Sequence, residues 1–124
     1  MISLGVRRIF LARAVVDMRR SYDTLAGMVR SQLSHDPLSG DAFVFIGRDR
    51  KRLKALLWDR SGFWLCAKRL ERGSFALPMA ALARDARESI ELDAAHWALL
   101  LEGITVLSSK RSRHYQHDVL SVAQ

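Results

Sequence analysis

The residues between positions 42 and 72 have the side chains needed to contact phosphates and bases. This segment holds nine Lys and Arg residues against three acids, a net charge of +6, whereas the whole 124-residue chain carries +7. Lys and Arg bind phosphates and release condensed counterions, and the indole rings of Trp58 and Trp64 could stack on exposed bases. The candidate phosphate-binding residues are Arg48, Arg50, Lys51, Arg52, Lys54, Lys68, Arg69 and Arg72.

Each of these features also has a purely structural interpretation. The basic stretch 48–51 could be a solvated hairpin turn whose charges prevent edge-to-edge association, and the cations at 68–72 could be a solvated strand end. Trp58 and Trp64 could pack in the core or against a lysine that stabilises the hairpin. The same positive field would attract a membrane surface or an acidic protein. The residue types therefore favour an anionic partner, with nucleic acid the first candidate.

A catalytic interpretation would use Asp17, Asp36, Asp59 and Glu71 as a metal-binding nuclease site. Two-metal chemistry needs carboxylates that converge within a few ångströms, whereas these four are predicted at a helix cap, in a loop and at two strand ends. The four histidines show no zinc-ligand spacing with Cys66, the single cysteine. The sequence therefore predicts no metal site, no cofactor and no enzymatic activity.

The elements that must position the cations form a predicted antiparallel meander over residues 42–70. Strands are predicted over 42–47, 52–59 and 63–70, joined by a charged turn at 48–51 and a tight turn at 60–62. Because side chains alternate across a strand, we expect one face of the hairpin to be buried by helices and the other to carry the cations. The predicted buried residues are Leu53, Leu57, Phe63 and Leu65. The residues expected to share the opposite face are Arg52, Lys54, Lys68, Trp58 and Trp64.

Helical periodicity surrounds this meander. A first strand over 8–16 is followed by a helix that Asp17 would cap and that extends to Leu33. A second helix is predicted from Met79 to Ile90, and a third, capped by Asp93, runs to residue 104. The order predicts an α+β fold, a small three- to four-stranded antiparallel sheet packed against about three helices.

Length and composition indicate one domain over residues 1–107, followed by a basic C-terminal tail over 108–124 that we expect to be flexible. No stretch approaches the roughly 20 apolar residues of a membrane span. Arg7, Arg8 and Arg13 interrupt the N-terminal apolar run, which therefore fails as a signal peptide. A cytoplasmic protein without a membrane partner is predicted.

Several motifs together resemble a known family. They are DMRR (17–20), SGDAFVF (39–45), LLWDRSGF (56–63), KRLERG (68–73) and LLLEGI (99–104). The set closely resembles the small TnpB accessory protein, also called Orf2, of the insertion-sequence group numbered sixty-six. The resemblance covers about residues 8–104. It implies that the protein is an accessory factor for transposition. The catalytic acidic residues of that reaction would then belong to a separate, larger transposase.

Two functional hypotheses follow. In the first, the protein is a non-catalytic accessory factor that binds DNA at the element ends through the basic hairpin and assists the transposase. In the second, it is an interaction module that docks on the transposase without touching DNA. Residues 73–107, with a net charge of −3 and the helix bearing Trp97, would then be the docking surface.

Overall fold

The computed structural model describes residues 6–103, which form one five-stranded sheet with three helices. The elements in chain order are β1 (Ile9–Ala12), α1 (Tyr22–Ser31), β2 (Ala42–Ile46), β3 (Arg52–Trp58), β4 (Phe63–Arg69), α2 (Met79–Arg84), β5 (Ser89–Leu92) and α3 (Ala94–Glu102). The α+β class is confirmed, but the sheet has five strands rather than three or four. The predicted tail at 108–124 lies outside the described residues.

The strand order is β4-β3-β2-β1-β5, so the hydrophobic strand β2 lies at the centre. All five residues of β2 are buried, because it has a strand on each side and helices over both faces. The predicted meander is confirmed, since β2, β3 and β4 pair in antiparallel succession. α1 connects β1 to β2, which pair in parallel.

Both faces of the sheet carry a buried core, whereas one buried face was expected. On one face, Leu25 and Val29 of α1 pack with a cluster that includes Phe43 and Leu56. On the other face, the cluster around Leu53 contains residues of α2 and α3, among them Leu100. We call these the α1 face and the α3 face. The sequence signal was the unbroken apolar run of β2, which is typical of a strand covered on both sides.

The predicted helices differ from the observed ones at their N-terminal and C-terminal ends. α1 begins at Tyr22 rather than after Asp17, because residues 17–20 form a turn in which the Arg20 N–H donates to the Asp17 carbonyl oxygen at 3.1 Å. The second predicted helix ends at Arg84, and the residues around Ile90 form β5 instead. Ile90 and Leu92 of β5 are buried and Glu91 between them is exposed, which fits a strand, and the free edge of β1 provides its partner.

The third helix agrees with the prediction over the described residues. The Asp93 carboxylate accepts the His96 backbone N–H at 2.7 Å, so Asp93 caps α3 as expected. Gly103 follows the last turn with a φ of 73°, a left-handed conformation that suits glycine. No helix within residues 6–103 has the length and apolar content needed to cross a membrane.

The register of the hairpin differs by one residue from the predicted one. The β3–β4 connection contains the four residues 59–62, and Trp58 pairs with Phe63. A three-residue turn would instead have paired Asp59 with Phe63. A shift of one residue reverses which side chains share a face. As a result, Leu53 and Leu57 are buried as predicted, but Phe63 and Leu65 lie on the other face from them.

Candidate nucleic-acid interface

The turn between β2 and β3 holds the first group of cations in a defined backbone conformation. The Gly47 N–H donates to the Arg52 carbonyl oxygen at 2.9 Å, and the Arg50 N–H donates back to Gly47 at 2.9 Å. The Asp49 carboxylate accepts the Lys51 N–H at 2.9 Å, which lowers the pKa of Asp49. Arg50 adopts a left-handed φ of 57°. Because these bonds fix the turn, the directions in which its side chains leave the backbone are also fixed.

The segment after β4 folds back on this turn. The Leu70 N–H donates to the Lys51 carbonyl oxygen at 2.8 Å, and the Phe75 N–H donates to that of Arg50 at 2.6 Å. Arg72 lies between these two anchors. The phenylalanine ring is 2% exposed and belongs to the core of the α3 face. The chain after β4 is therefore tied to the turn, which brings Arg69 and Arg72 to the same end of the sheet as the turn cations.

Two arginines occupy directly opposite positions across the β3–β4 pair. Arg52 lies directly opposite Arg69 in the register, on the α1 face. Each has its own acid, since Arg52 pairs with Asp49 at 3.3 Å and Arg69 with Glu71 at 3.1 Å. The two arginine side chains remain 51% and 72% exposed. They are therefore accessible to an anion approaching this end of the sheet.

The DMRR segment reaches the same end, a placement that the sequence reasoning missed. Val16 forms a parallel bridge with Gly47, and a Cβ added to Gly47 would lie 2.6 Å from the Met18 side chain. Arg19 and Arg20 are exposed and follow this contact directly. The available signal was the arginine pair itself, but only the Val16 bridge shows that it adjoins the turn.

We call this set of cations the basic end of the sheet. Its members are Arg19, Arg20, Arg48, Arg50, Lys51, Arg52, Arg69 and Arg72. The acids among them are Asp17, Asp49 and Glu71, which leaves a net charge of +5. Among the described residues, no ion-pair partner is found for Arg48, Arg50 or Lys51. Six of the eight predicted phosphate-binding residues thus lie together here, joined by two that were not predicted.

The two remaining candidates, Lys54 and Lys68, point to opposite faces of the sheet. The Lys54 ammonium donates to the Arg20 carbonyl oxygen at 2.7 Å on the α1 face. The Lys68 ammonium donates to the Leu101 carbonyl oxygen at 2.8 Å, at the C-terminal end of α3. The prediction that both share one face is wrong. Each lysine instead ties the sheet to a neighbouring segment.

Trp58 and Trp64 lie at the other end of the hairpin. Trp58 is on the α1 face and makes an edge contact with Phe63, with ring centroids 5.1 Å apart. Trp64 is on the α3 face, 43% exposed, and its indole N–H donates to Asp59 at 2.6 Å. At about 3.3 Å per residue, Trp58 is about 20 Å from Arg52. The expected face shared by both tryptophans and the cations is therefore absent from the described hairpin.

The acidic residues considered for catalysis do not converge. Asp17 forms an ion pair with Arg19 at 2.7 Å, and these bonds hold the pKa of Asp17 well below its usual range. Asp59 lies in the β3–β4 loop, and the Trp64 indole lowers its pKa. Asp36 accepts the Leu38 N–H within its own loop at 2.9 Å. Within residues 6–103, no three potential metal ligands of the His, Cys, Asp and Glu types lie together.

Comparison with known proteins gives a consistent result. The family model described as IS66 Orf2 like protein matches residues 7–111. Two uncharacterized proteins of Sinorhizobium fredii (strain NBRC 101917 / NGR234) are similar. The protein y4hO is 37% identical over 97 residues, which cover 78% of this chain and 80% of y4hO. The protein y4jC is 44% identical over 71 residues, 57% of this chain and 61% of y4jC. No solved structure matches.

The matched range includes the whole sheet, the turn that holds the basic end and all three helices. It therefore covers most of the chain, and the resemblance inferred from the short motifs is confirmed. The chain belongs to the IS66 Orf2-like family, the family of IS66 transposition accessory proteins.

Proposed function

We propose that the protein is a non-catalytic accessory factor that binds DNA through phosphate contacts of the basic end. The observation that carries the proposal is the convergence of eight cations from three separate segments on one end of the sheet. Backbone hydrogen bonds fix the turn and the segment after β4, so the cations there are positioned before a partner arrives. Arginine and lysine arranged in this way neutralise phosphates and release counterions.

The opposed arginines Arg52 and Arg69 give the strongest local argument. Like charges directly opposite each other on a sheet are unfavourable, and the two acids nearby balance them in part. A phosphate bound between the guanidinium groups would replace this repulsion with two charge-assisted hydrogen bonds. We therefore expect the most favourable phosphate contact to be the one between Arg52 and Arg69.

The shape of the basic end favours contact with the DNA backbone over reading of bases. The cations extend from a tight turn, an irregular segment and strand ends. Among the described residues, neither Arg19 nor Arg20 is on a helix, and α1 begins only at Tyr22. Phosphate contacts position a protein on DNA without reading sequence. We therefore propose binding with little sequence preference, in which the transposase supplies the recognition of the element ends.

The test is a salt titration of DNA binding with matched charge variants. The pair Arg48→Gln and Lys51→Gln removes two cations from the basic end. The control pair Arg7→Gln and Arg30→Gln removes the same charge from exposed positions outside it. The first pair should reduce the slope of log K against log salt by about 2, and the control should leave it unchanged. Equal losses in both pairs would indicate a general charge effect and contradict the proposal.

A second candidate function is docking on the transposase through α3. The observation that favours it is Leu99, a large apolar side chain on this helix that is 60% exposed. The acidic segment contributes less than expected, because Asp85 pairs with Arg87 and Glu91 with Arg8. Loss of transposase capture with Leu99→Asp, with DNA binding intact, would support this candidate.

A further inference from the structure

β4 is an edge strand with unusually little protection. It pairs with β3 over seven consecutive residue pairs without a bulge. Within residues 6–103, no strand pairs with its other side. It contains no proline, and its cations occupy only its last two positions, Lys68 and Arg69. Edge strands are commonly shielded by bulges, prolines or charges along their length, and most of β4 has none of these.

Two backbone bonds show which residues of β4 face this open side. The Asp59 N–H donates to the Gly62 carbonyl oxygen at 3.1 Å, and the Leu70 N–H donates to that of Lys51 at 2.8 Å. Both pairs are in the β3–β4 register, so the hydrogen-bonded positions of β4 are the even-numbered ones. The residues that direct their N–H and C=O groups away from β3 are therefore Phe63, Leu65, Ala67 and Arg69.

The side chains of β4 differ in character along the strand, with aromatic residues at its start and cations at its end. Trp64 presents an indole that is 43% exposed near the start of the strand. Lys68 and Arg69 present positive charge at its end, next to Arg52 on β3. A strand added antiparallel to β4 would place its N-terminal residues beside these cations and its C-terminal residues beside Trp64. Carboxylates at the first positions and apolar side chains at the last would complement this arrangement.

We propose that the β4 edge binds an extended acidic peptide segment of a partner protein by β-strand addition. Main-chain bonds to the outward groups of β4 supply affinity, and the side-chain pattern supplies selectivity. A second copy of this chain is the less suitable occupant, because it also carries +7 and would add its own Lys68 and Arg69 to the same edge. This proposal does not rest on DNA binding, although Arg69 belongs both to the β4 edge and to the basic end.

The test uses the full chain and a synthetic peptide, acetylated and amidated, with the sequence Glu-Glu-Val-Thr-Val-Thr-Val. Binding is followed by the amide signals of the ¹⁵N-labelled protein. The proposal expects protection from exchange at the odd-numbered amides 63–69. The variant Ala67→Pro removes an outward N–H without removing a bond to β3, so it should fold and bind about tenfold more weakly. Ala67→Ser keeps the N–H and should bind as the parent does.

A second set of experiments changes the peptide and leaves the protein unchanged. Its outcome therefore does not depend on whether a protein variant folds. N-methylation of alternate residues should abolish binding, because it removes the donors of the added strand. Lysines in place of both glutamates should weaken binding by about tenfold. Signals that change only at Arg48–Arg52, or equal binding by the methylated peptide, would overturn the proposal. A stable dimer of the free protein that closes the β4 edge, detected by sedimentation, would also overturn it.

Discussion

Arg52 and Arg69 lie directly opposite each other across β3 and β4, two cations at a position where the sheet pairs side chains most closely. Replacing both with glutamine should reduce the salt slope of DNA binding by about 2, because two phosphate contacts are lost. Stability should stay unchanged or rise slightly, since the replacement removes repulsion between exposed like charges. Filter binding over a range of salt concentrations, together with thermal unfolding, measures both effects. A fall in stability with an unchanged slope would show that the pair is structural.

The contact between Gly47 and Met18 predicts a coupling between the sheet and the DMRR segment. A Cβ at position 47 would lie 2.6 Å from the Met18 Cγ. Gly47→Ala should therefore destabilise the fold by about 1–3 kcal/mol, as overpacking does. Met18→Ala should recover part of that loss when combined with Gly47→Ala, since it vacates the space. Urea unfolding of the two single variants and the double variant measures the coupling, and strictly additive losses would contradict it.

Lys54 and Lys68 should behave as structural ties. Each ammonium donates to a backbone carbonyl oxygen, of Arg20 and Leu101 respectively. Replacing either with methionine keeps the aliphatic stem and removes the bond, so each variant should lower the melting temperature by a few degrees. Differential scanning calorimetry would show this shift.

Arg48→Gln serves as the comparison for these lysine variants, because no ion-pair partner is found for its exposed side chain among the described residues. It should leave the melting temperature unchanged and weaken DNA binding. If Lys68→Met weakened DNA binding as strongly as Arg48→Gln at constant stability, the structural assignment of Lys68 would be wrong.

The bond between Trp64 and Asp59 predicts a pH-dependent contribution to stability. Donation from the indole N–H lowers the pKa of Asp59 in the folded state. A lowered folded pKa stabilises the protein at pH values above the unfolded pKa of about 3.9, and the benefit is lost as the pH falls from that value through the lower folded pKa. Trp64→Phe should therefore be less stable than the parent at neutral pH, and the difference should narrow as the pH falls below about 4. Trp58→Phe is the control, since that ring contacts Phe63.

Chemical unfolding of the parent and both variants between pH 3 and pH 7 measures this difference. A stability gap between Trp64→Phe and the parent that stays constant across the range would show that the indole acts only through packing.

The sequence alone determined the central meander, the cap of α3 and the position of the charge. Local physics decides these features, because alternation, turn residues and capping side chains act over a few residues. The family could also be identified from short motifs such as DMRR and KRLERG. Six of the predicted phosphate-binding residues do lie together. The start of β3 pairs with the end of β4, so the turn before β3 and the segment after β4 lie at the same end of the sheet.

The tertiary structure decided which faces are buried, where β5 forms and which cations converge. The periodicity around Ile90 fits a helix, but the edge of β1 offers backbone partners that only the assembled sheet presents. A four-residue loop at 59–62 rather than a three-residue turn shifted the register and placed Trp58 and Trp64 on opposite faces. Arg19 and Arg20 joined the basic end through the bridge between Val16 and Gly47. Contacts between residues so far apart in the chain leave no local pattern, so only the folded chain specifies them.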